Sequence, residues 1–427
     1  MNSGSLRHPI SIPDFRVYLI GRLSMVLSQY AMMLVIGWQA YNIARETMST
    51  SASAAQLGFI GLAQFIPLFL LTPVTGWTAD HFDRRHIARW SLALQILCAG
   101  ALALATYGDW VSLPLIFSIA ALLGVARAFS GPALSALSPN LVPRETLPKA
   151  IAISSVAWQS GMIIGPAIGG YVYAIAPAAA YGTSATLFGV AFLCMCLIGK
   201  VPRPERDRSR HPIAQMIDGL AYVRRNRLVL ATITLDLFAV LLAGATALLP
   251  VYARDILHVG SAGLGHLAAA PGVGAGLTAL WFSFRPLKSE VGLKMLCAVV
   301  VFGVATIIFG LSTWVPLSLA CLLILGCADM FSVYVRQSLI QLHTPDEMRG
   351  RVGSVSQLTI SASNELGEAE SGFLAALVGP VAAVVFGGVG AIVITLAWAR
   401  IFPELRLART FDTPETARDR RPTESAT

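Results

Sequence analysis

The sequence predicts an all-α integral membrane protein with twelve transmembrane helices in two six-helix halves related by pseudo-two-fold symmetry. Three observations predict it. The 427-residue chain is 55% hydrophobic and only 13% charged, where soluble domains carry about 25% charged residues. Apolar segments of roughly 20 residues, the length that crosses a bilayer, recur along the chain. The two halves of the sequence also repeat each other.

Twelve such segments follow in order, at about 16–43, 55–79, 87–107, 110–137, 148–174, 179–199, 227–252, 262–284, 292–313, 315–340, 352–377 and 380–401. The first is too long for a cleavable leader and is expected to be retained. Six cysteines (Cys98, Cys194, Cys196, Cys297, Cys321, Cys327) fall inside apolar runs without metal-ligand spacing and read as small apolar fillers. The net charge of +8 does not point to nucleic acid, because the basic residues punctuate the spans instead of forming a patch.

Lysine and arginine set the orientation. The connections between spans 1–2, 3–4, 5–6, 7–8, 9–10 and 11–12 contain only Arg45 and Arg254. The other side holds Arg84, Arg85, Arg89, Arg144, Lys149, Arg285, Lys288, Lys294, Arg349 and Arg351, with the central linker and both termini. Both termini are therefore expected in the cytoplasm. The expected division is 1–199 for the first half, 200–226 for a cytoplasmic linker, 227–407 for the second half and 408–427 for a disordered tail. Within the linker, "IAQMIDGLAYV" has apolar residues at helical spacing and suits a helix lying on the membrane surface.

The repeat has a constant offset of 202 residues: Gly124 matches Gly326, Phe129 Phe331, Ser130 Ser332, Pro143 Pro345, Glu145 Glu347, Ser154 Ser356, Gly165 Gly367 and Gly170 Gly372. Repeated halves are the architecture of many secondary transporters, with the binding site between them near the midplane.

Three motifs resemble the major facilitator superfamily. "GWTADHFDRR" is similar to its signature between the second and third spans, matching at Gly76, Asp80, Arg84 and Arg85 and departing at Asp83, where glycine is usual. "RAFSGPA" from Arg127 resembles the fourth-span motif, and "GMIIGPAIGG" from Gly161 resembles the fifth-span motif of antiporters. The stretches "LPVYARDIL", "APGVGA", "RQSLIQLHTPDEMRGRV" and "SNELGEAESG" resemble the enterobactin-exporter branch of bacterial efflux proteins. The resemblance implies a monomer whose spans one, four, seven and ten line a cavity, and it implies efflux of a siderophore or drug-like molecule. It also implies a latch between the halves at Gly76, Asp80, Arg84 and Arg85; the bland alternative is a positive-inside loop with one incidental acid.

Gly161, Gly165 and Gly169 share one helical face, next to Pro166 and Gly170, and the repeat carries Ser363, Gly367 and Ser371 at the equivalent places. Such a stripe allows close helix approach. It suits either the seam between the halves or packing within one half.

A charge at bilayer depth costs at least ~2.5–3.5 kcal/mol, so ionisable residues inside spans are the candidates for function. They are Arg127, Asp236, Asp329, Arg336, Glu365, Glu368 and Glu370. At 100° per residue Glu365, Glu368 and Asn364 share a face, and Glu370 points away. Two neighbouring carboxylates in a poorly hydrated place repel each other, which favours holding a proton near neutral pH. Glu365, Glu368, Asp236 and Asp329 are the proton-coupling candidates, and Arg127, Arg336 and Glu370 are further cavity charges. The alternative is that the acids are fixed partners of Arg127 or Arg336. Gln29, Trp38, Gln159 and Asn364 are candidates for substrate contact.

The reading is a secondary transporter with small-molecule substrate and protons as partners and no cofactor. No Walker A loop is present, so ATP is not the built-in energy source. An importer of a sugar or organic acid is the alternative. A membrane enzyme lacks any catalytic constellation in this sequence. The topology is checked by cysteine labelling from outside, which should reach positions near Arg45 and Arg254 and not Arg84, Arg208 or Arg349. Outside labelling at Arg208 would contradict the two-half arrangement.

Overall fold

In the first half, proline and small polar residues mark where helices start. Pro13 and Pro177 stand in first turns, Ser49 Oγ accepts from the Ala52 N–H, and Asp83 accepts from the Arg85 N–H. These groups satisfy or remove donors that a helix start leaves open. The computed structural model describes residues 8–137, 140–199, 212–287 and 289–411. The surroundings of Gly76, the side chain of Asp80, linker residues 200–211 and the tail from 412 onward lie outside what is described.

The N-terminal half comprises α1 (Pro13–Thr47), α2 (Thr50–His81), α3 (Arg84–Tyr107), α4 (Leu113–Leu137), α5 (Leu147–Ile175) and α6 (Pro177–Leu197). The linker helix is α7 (Pro212–Arg225). The C-terminal half comprises α8 (Arg227–Leu242), the short α9 (Leu249–Val251), α10 (Gly260–Phe284), α11 (Val291–Leu311), α12 (Val315–Leu342), α13 (Asp346–Val378), α14 (Pro380–Ile401) and the terminal turn α15 (Pro403–Arg406).

Among the described residues, 11 helical segments are long and apolar enough to cross a membrane. The twelfth crossing is α13, whose 33 residues have the length but are too polar to qualify by composition. It is sheltered instead: it packs along α2 of the other half and along α8 of its own. The peripheral helices α3, α6, α11 and α14 turn Trp90, Leu97, Leu193, Val301, Phe386 and Val393 outward, as lipid-facing walls require.

The seventh crossing, Arg227–Ile256, is broken. α8 stops at Leu242, a 3₁₀ turn covers Ala245–Leu248, and a π-helical turn covers Tyr252–Ile256 beyond α9. Pro250 lacks the N–H that an unbroken helix needs. Gly244 lets the break sit directly on α13, because a Cβ there would strike the Gly367 carbonyl and Ser371 Oγ. At the other end of α13 a single residue, Gly379 at φ 90°, makes the turn into α14; a side chain there would be strained.

The glycine stripes work within each half. Gly161, Gly165 and Gly169 press on Val26, Leu27, Tyr30 and Ala31 of α1, and Gly367 presses on Val240 and Leu241 of α8. The between-half alternative for the stripe is therefore not what the fold uses. The seam falls one residue later: Gly170 meets Ser261 and Gly265 of α10, and its repeat counterpart Gly372 meets Gly58 and Ala54 of α2. Both contacts lie near the end of the bundle that carries the 1–2, 7–8 and 11–12 connections, called the outer end here after the orientation expected from the basic residues.

The linker helix is helical as expected, but one side is docked on protein. Val223 is buried with Ile340, Val352 and Val355, Asp218 pairs with Arg351, and Tyr222 Oη donates to the His343 carbonyl. Residues 408–411, expected in a disordered tail, are also docked: the Gly292 N–H donates to the Ala408 carbonyl, and Phe411 meets Tyr334 edge-on.

Gly372→Leu should leave each half folded, since the new side chain enters only the seam, and should favour an open outer end. Overpacking of about 1–3 kcal/mol shifts such an equilibrium by roughly one to two orders of magnitude. In a background without other cysteines, a cysteine at the buried seam residue Ser261 should then react several-fold faster with an impermeant maleimide. An unchanged rate in a normally folded variant would show that the glycine contact does not hold the outer end shut.

Candidate functional site

Arg127 is carried by α4 and Glu365 by α13, so their contact joins the two halves. Arg127 Nη2 lies 2.9 Å from Glu365 Oε1, and its Nη1 donates to Gln64 Oε1 of α2 at 3.0 Å. Glu365 is buried, and its second oxygen, Oε2, has no hydrogen-bond partner. Glu368 stands one turn further on and interacts electrostatically with both Glu365 and Arg127. The Tyr30 hydroxyl of α1 interacts with the same three charges. One guanidinium thus stands among two carboxylates, in direct contact with Glu365.

The face of α13 that carries Glu368 is polar along its length. Gln357, Ser361, Asn364 and Glu368 share one face of α13; Gln357 and Asn364 are exposed, and Gly350 and Gly353 on that face meet nothing within 4 Å. A lipid-facing stripe would be apolar. This polar one leads from the linker-bearing end of the bundle to Glu368.

Arg22 was not singled out from the sequence. Its guanidinium lies 5.5 Å from the centre of the Trp158 ring, and Nη1 donates to Tyr18 Oη at 3.2 Å. Trp158 in turn meets Tyr30 edge-on at 6.2 Å. The signal was present as an arginine two turns into the 35-residue first helix, but Trp158 comes from α5 and could not be read off.

The remaining candidates divide. Asp236 is taken up by Arg336: the two form a buried ion pair between α8 and α12, wholly within the C-terminal half. Asp329 is half-buried two turns before Arg336 and has no ion pair or hydrogen bond among the described residues. Glu370 is separate from the central acids and accepts from Ser371 Oγ at 3.5 Å. Gln29 lines a small pocket with Gln64, Gln95 and Arg127. Asn364 lies on the open stripe. Gln159 Nε2 donates across the seam to the Gly272 carbonyl at 3.1 Å. Trp38 is buried in a hydrophobic cluster drawn from both halves.

Around the signature, Arg84 opens α3. Arg85 does not reach the other half. It pairs with Asp83 at 2.6 Å and donates to the Ile198 carbonyl at 3.1 Å, tying the start of α3 to the end of α6. The residue that departs from the signature is thus both the cap of α3 and the partner of Arg85. Hydrogen bonding from Arg85 outweighs desolvation and holds the Asp83 carboxyl down at about 2.

A second cross-half cluster closes the outer end. Asp255, on the π-helical turn, accepts from the Tyr41 hydroxyl and from Arg45 Nε, the latter at 3.0 Å. Its neighbour Arg254 donates to the Asn42 carbonyl at 3.1 Å and to Asn42 Oδ1 at 2.6 Å. Sequence reading used Arg45 and Arg254 only to set orientation.

Comparison with known proteins agrees with this architecture. The chain is 27% identical over 413 residues to the enterobactin exporter EntS of Escherichia coli O139:H28, covering 95% of this chain and 96% of that protein, and it stands equally close to EntS of Escherichia fergusonii. A bacterial homologue of the human lysosomal transporter Spinster, in an inward-facing and occupied conformation, superposes with a TM-score of 0.72 at 15% identity, covering 96% of this chain and all of that one (100%). The POT family transporter PepTSo superposes with a TM-score of 0.72 at 12% identity, covering 93% of this chain and 99% of that one. At such identities the superpositions speak for the fold alone. The family model of the Major Facilitator Superfamily matches residues 23–368, and the chain belongs to that superfamily of secondary transporters.

Proposed function

We propose that the chain is a proton-coupled exporter of a siderophore or a hydrophobic or amphipathic drug-like molecule, working by alternating access in the bacterial inner membrane with both termini in the cytoplasm. The observation that carries this reading is the Arg127–Glu365 pair across the halves with Glu368 beside it. Full-length similarity to an enterobactin exporter supports the substrate class and the direction.

With the outer cluster closed, the polar stripe on α13 faces the linker-bearing side, and substrate and water reach Glu368 from there. A proton on Glu368 leaves Glu365 as the single anion on Arg127, and that pair ties α4 to α13. Loss of the proton puts a second carboxylate beside the first, and the two anions then compete for the guanidinium. Glu365 stays beside Arg127 in both states, so the guanidinium never stands unpaired in the bundle. Coupling then follows if the substrate-bound and proton-bound forms favour opposite arrangements of the halves.

The two acids predict different variants. Glu365→Gln leaves Arg127 short of its closest anion, and a loss of stability approaching the roughly 3–5 kcal/mol of a broken buried pair is expected, reduced by whatever Glu368 restores. Glu368→Gln should keep normal thermal stability, bind substrate without pH dependence between about pH 5 and 9, and exchange substrate across vesicles without a gradient while losing uphill transport. Wild-type uphill transport in both variants would remove these positions and leave Asp329 as the carrier.

Asp255→Asn removes the anion that Tyr41 and Arg45 share. A hydrogen bond to a charged group is worth about 1.5–3 kcal/mol, so the outer end should open in a population raised by one to two orders of magnitude. Spin labels at Met48 and His258 should report a new longer distance. An unaltered distance distribution would mean that the outer cluster does not gate.

A further inference from the structure

On the outside of the C-terminal half, away from the central acids, α10 and α11 stand apart over α12 and leave a groove of about 590 Å³. Its walls are Leu277 and Trp281 of α10, Cys297 and Val301 of α11, and Ile324 and Phe331 of α12. Leu277, Trp281, Val301 and Ile324 are exposed, and no carboxylate lines the groove. Because α11 is a peripheral helix, this groove opens to lipid.

One end of the groove is chemically different. Lys294 lines it, one turn into α11, and uses its ammonium for a single contact, donating to the Ser289 carbonyl at 2.8 Å. Arg285, just beyond the end of α10, lies 5.4 Å over the Trp281 ring. Both cations therefore sit where the chain leaves the apolar layer, beside a tryptophan of the kind that anchors at headgroup depth. The nearest acid in the connecting loop, Glu290, faces Arg409 at 3.9 Å. From Lys294 to Val301 the groove runs about 10 Å along α11 at the helical rise, toward the bilayer centre.

We propose that this groove is a binding site for one anionic phospholipid of the linker-side leaflet, with the phosphate between Arg285 and Lys294 and an acyl chain lying over α12 between Trp281 and Val301. An apolar slot with two cations at its headgroup end complements such a lipid in both shape and charge. A zwitterionic lipid fills the slot equally well but brings its own cation to Arg285 and Lys294, and so is bound less tightly.

Native mass spectrometry of the purified full chain tests this with dioleoyl phosphatidylglycerol and dioleoyl phosphatidylcholine at equal concentrations. One phosphatidylglycerol should be retained at least about fivefold more than phosphatidylcholine, a preference of the size expected from surface cations. The double variant Arg285→Ser, Lys294→Ser should abolish the preference. Cys297→Trp, which fills the slot from an exposed wall position, should reduce retention of both lipids. Thermal melting of each variant in detergent controls for folding. Equal retention of the two lipids by the wild type, or an unaltered preference in the double variant, overturns the proposal. Full lipid retention in Cys297→Trp with lowered transport also overturns it and makes the groove a lateral portal for substrate.

Discussion

The cost of holding charge away from water governs the arrangement of this bundle. Of the charged candidates at depth, Asp236 with Arg336 and Arg127 with Glu365 are paired, while Glu368 stands near the central cluster and Asp329 on a half-buried helix face. The two pairs differ in what they join. Asp236 and Arg336 tie α8 to α12 inside one half, and breaking them exposes a buried charge with no benefit. Arg127 and Glu365 tie one half to the other, so the same electrostatic cost bears on the equilibrium between arrangements of the halves. Identical chemistry is structural in one place and conformational in the other because of which helices it links.

Packing follows the same division. The four-residue glycine and serine stripes fix α5 on α1 and α13 on α8, giving each half a rigid interior. The seam is made by the next glycine, Gly170 or Gly372, where backbone meets backbone with no side chains between. Such a contact can close and part without repacking a core. The hydrogen-bonded cluster of Tyr41, Arg45, Asn42, Arg254 and Asp255 adds polar contacts at the same end, and the break at Gly244 and Pro250 lets the last turns of the seventh crossing carry Asp255 to meet them. The outer end is closed by groups that can be separated, and the opposite end leaves the polar face of α13 open.

The sequence by itself determined the crossings, their division into halves and the repeat. Span length and apolar content are local consequences of the bilayer, and repeat symmetry needs only alignment. It also showed that Glu365 and Glu368 share a helix face while Glu370 does not, because helical periodicity fixes direction within one element. It left open which acid meets which arginine. Arg127 and Glu365 are 238 residues apart by number (365 less 127), and nothing local distinguishes Asp236 from Asp329 as the partner of Arg336. The tertiary structure alone decided these pairings, moved the small-residue stripes from the seam to the interior, turned Arg85 to Asp83 and Ile198, and brought Arg22 to Trp158. The physical reason is the same in each case: a contact between helices depends on their relative rotation and depth, and these are set by packing over the whole bundle.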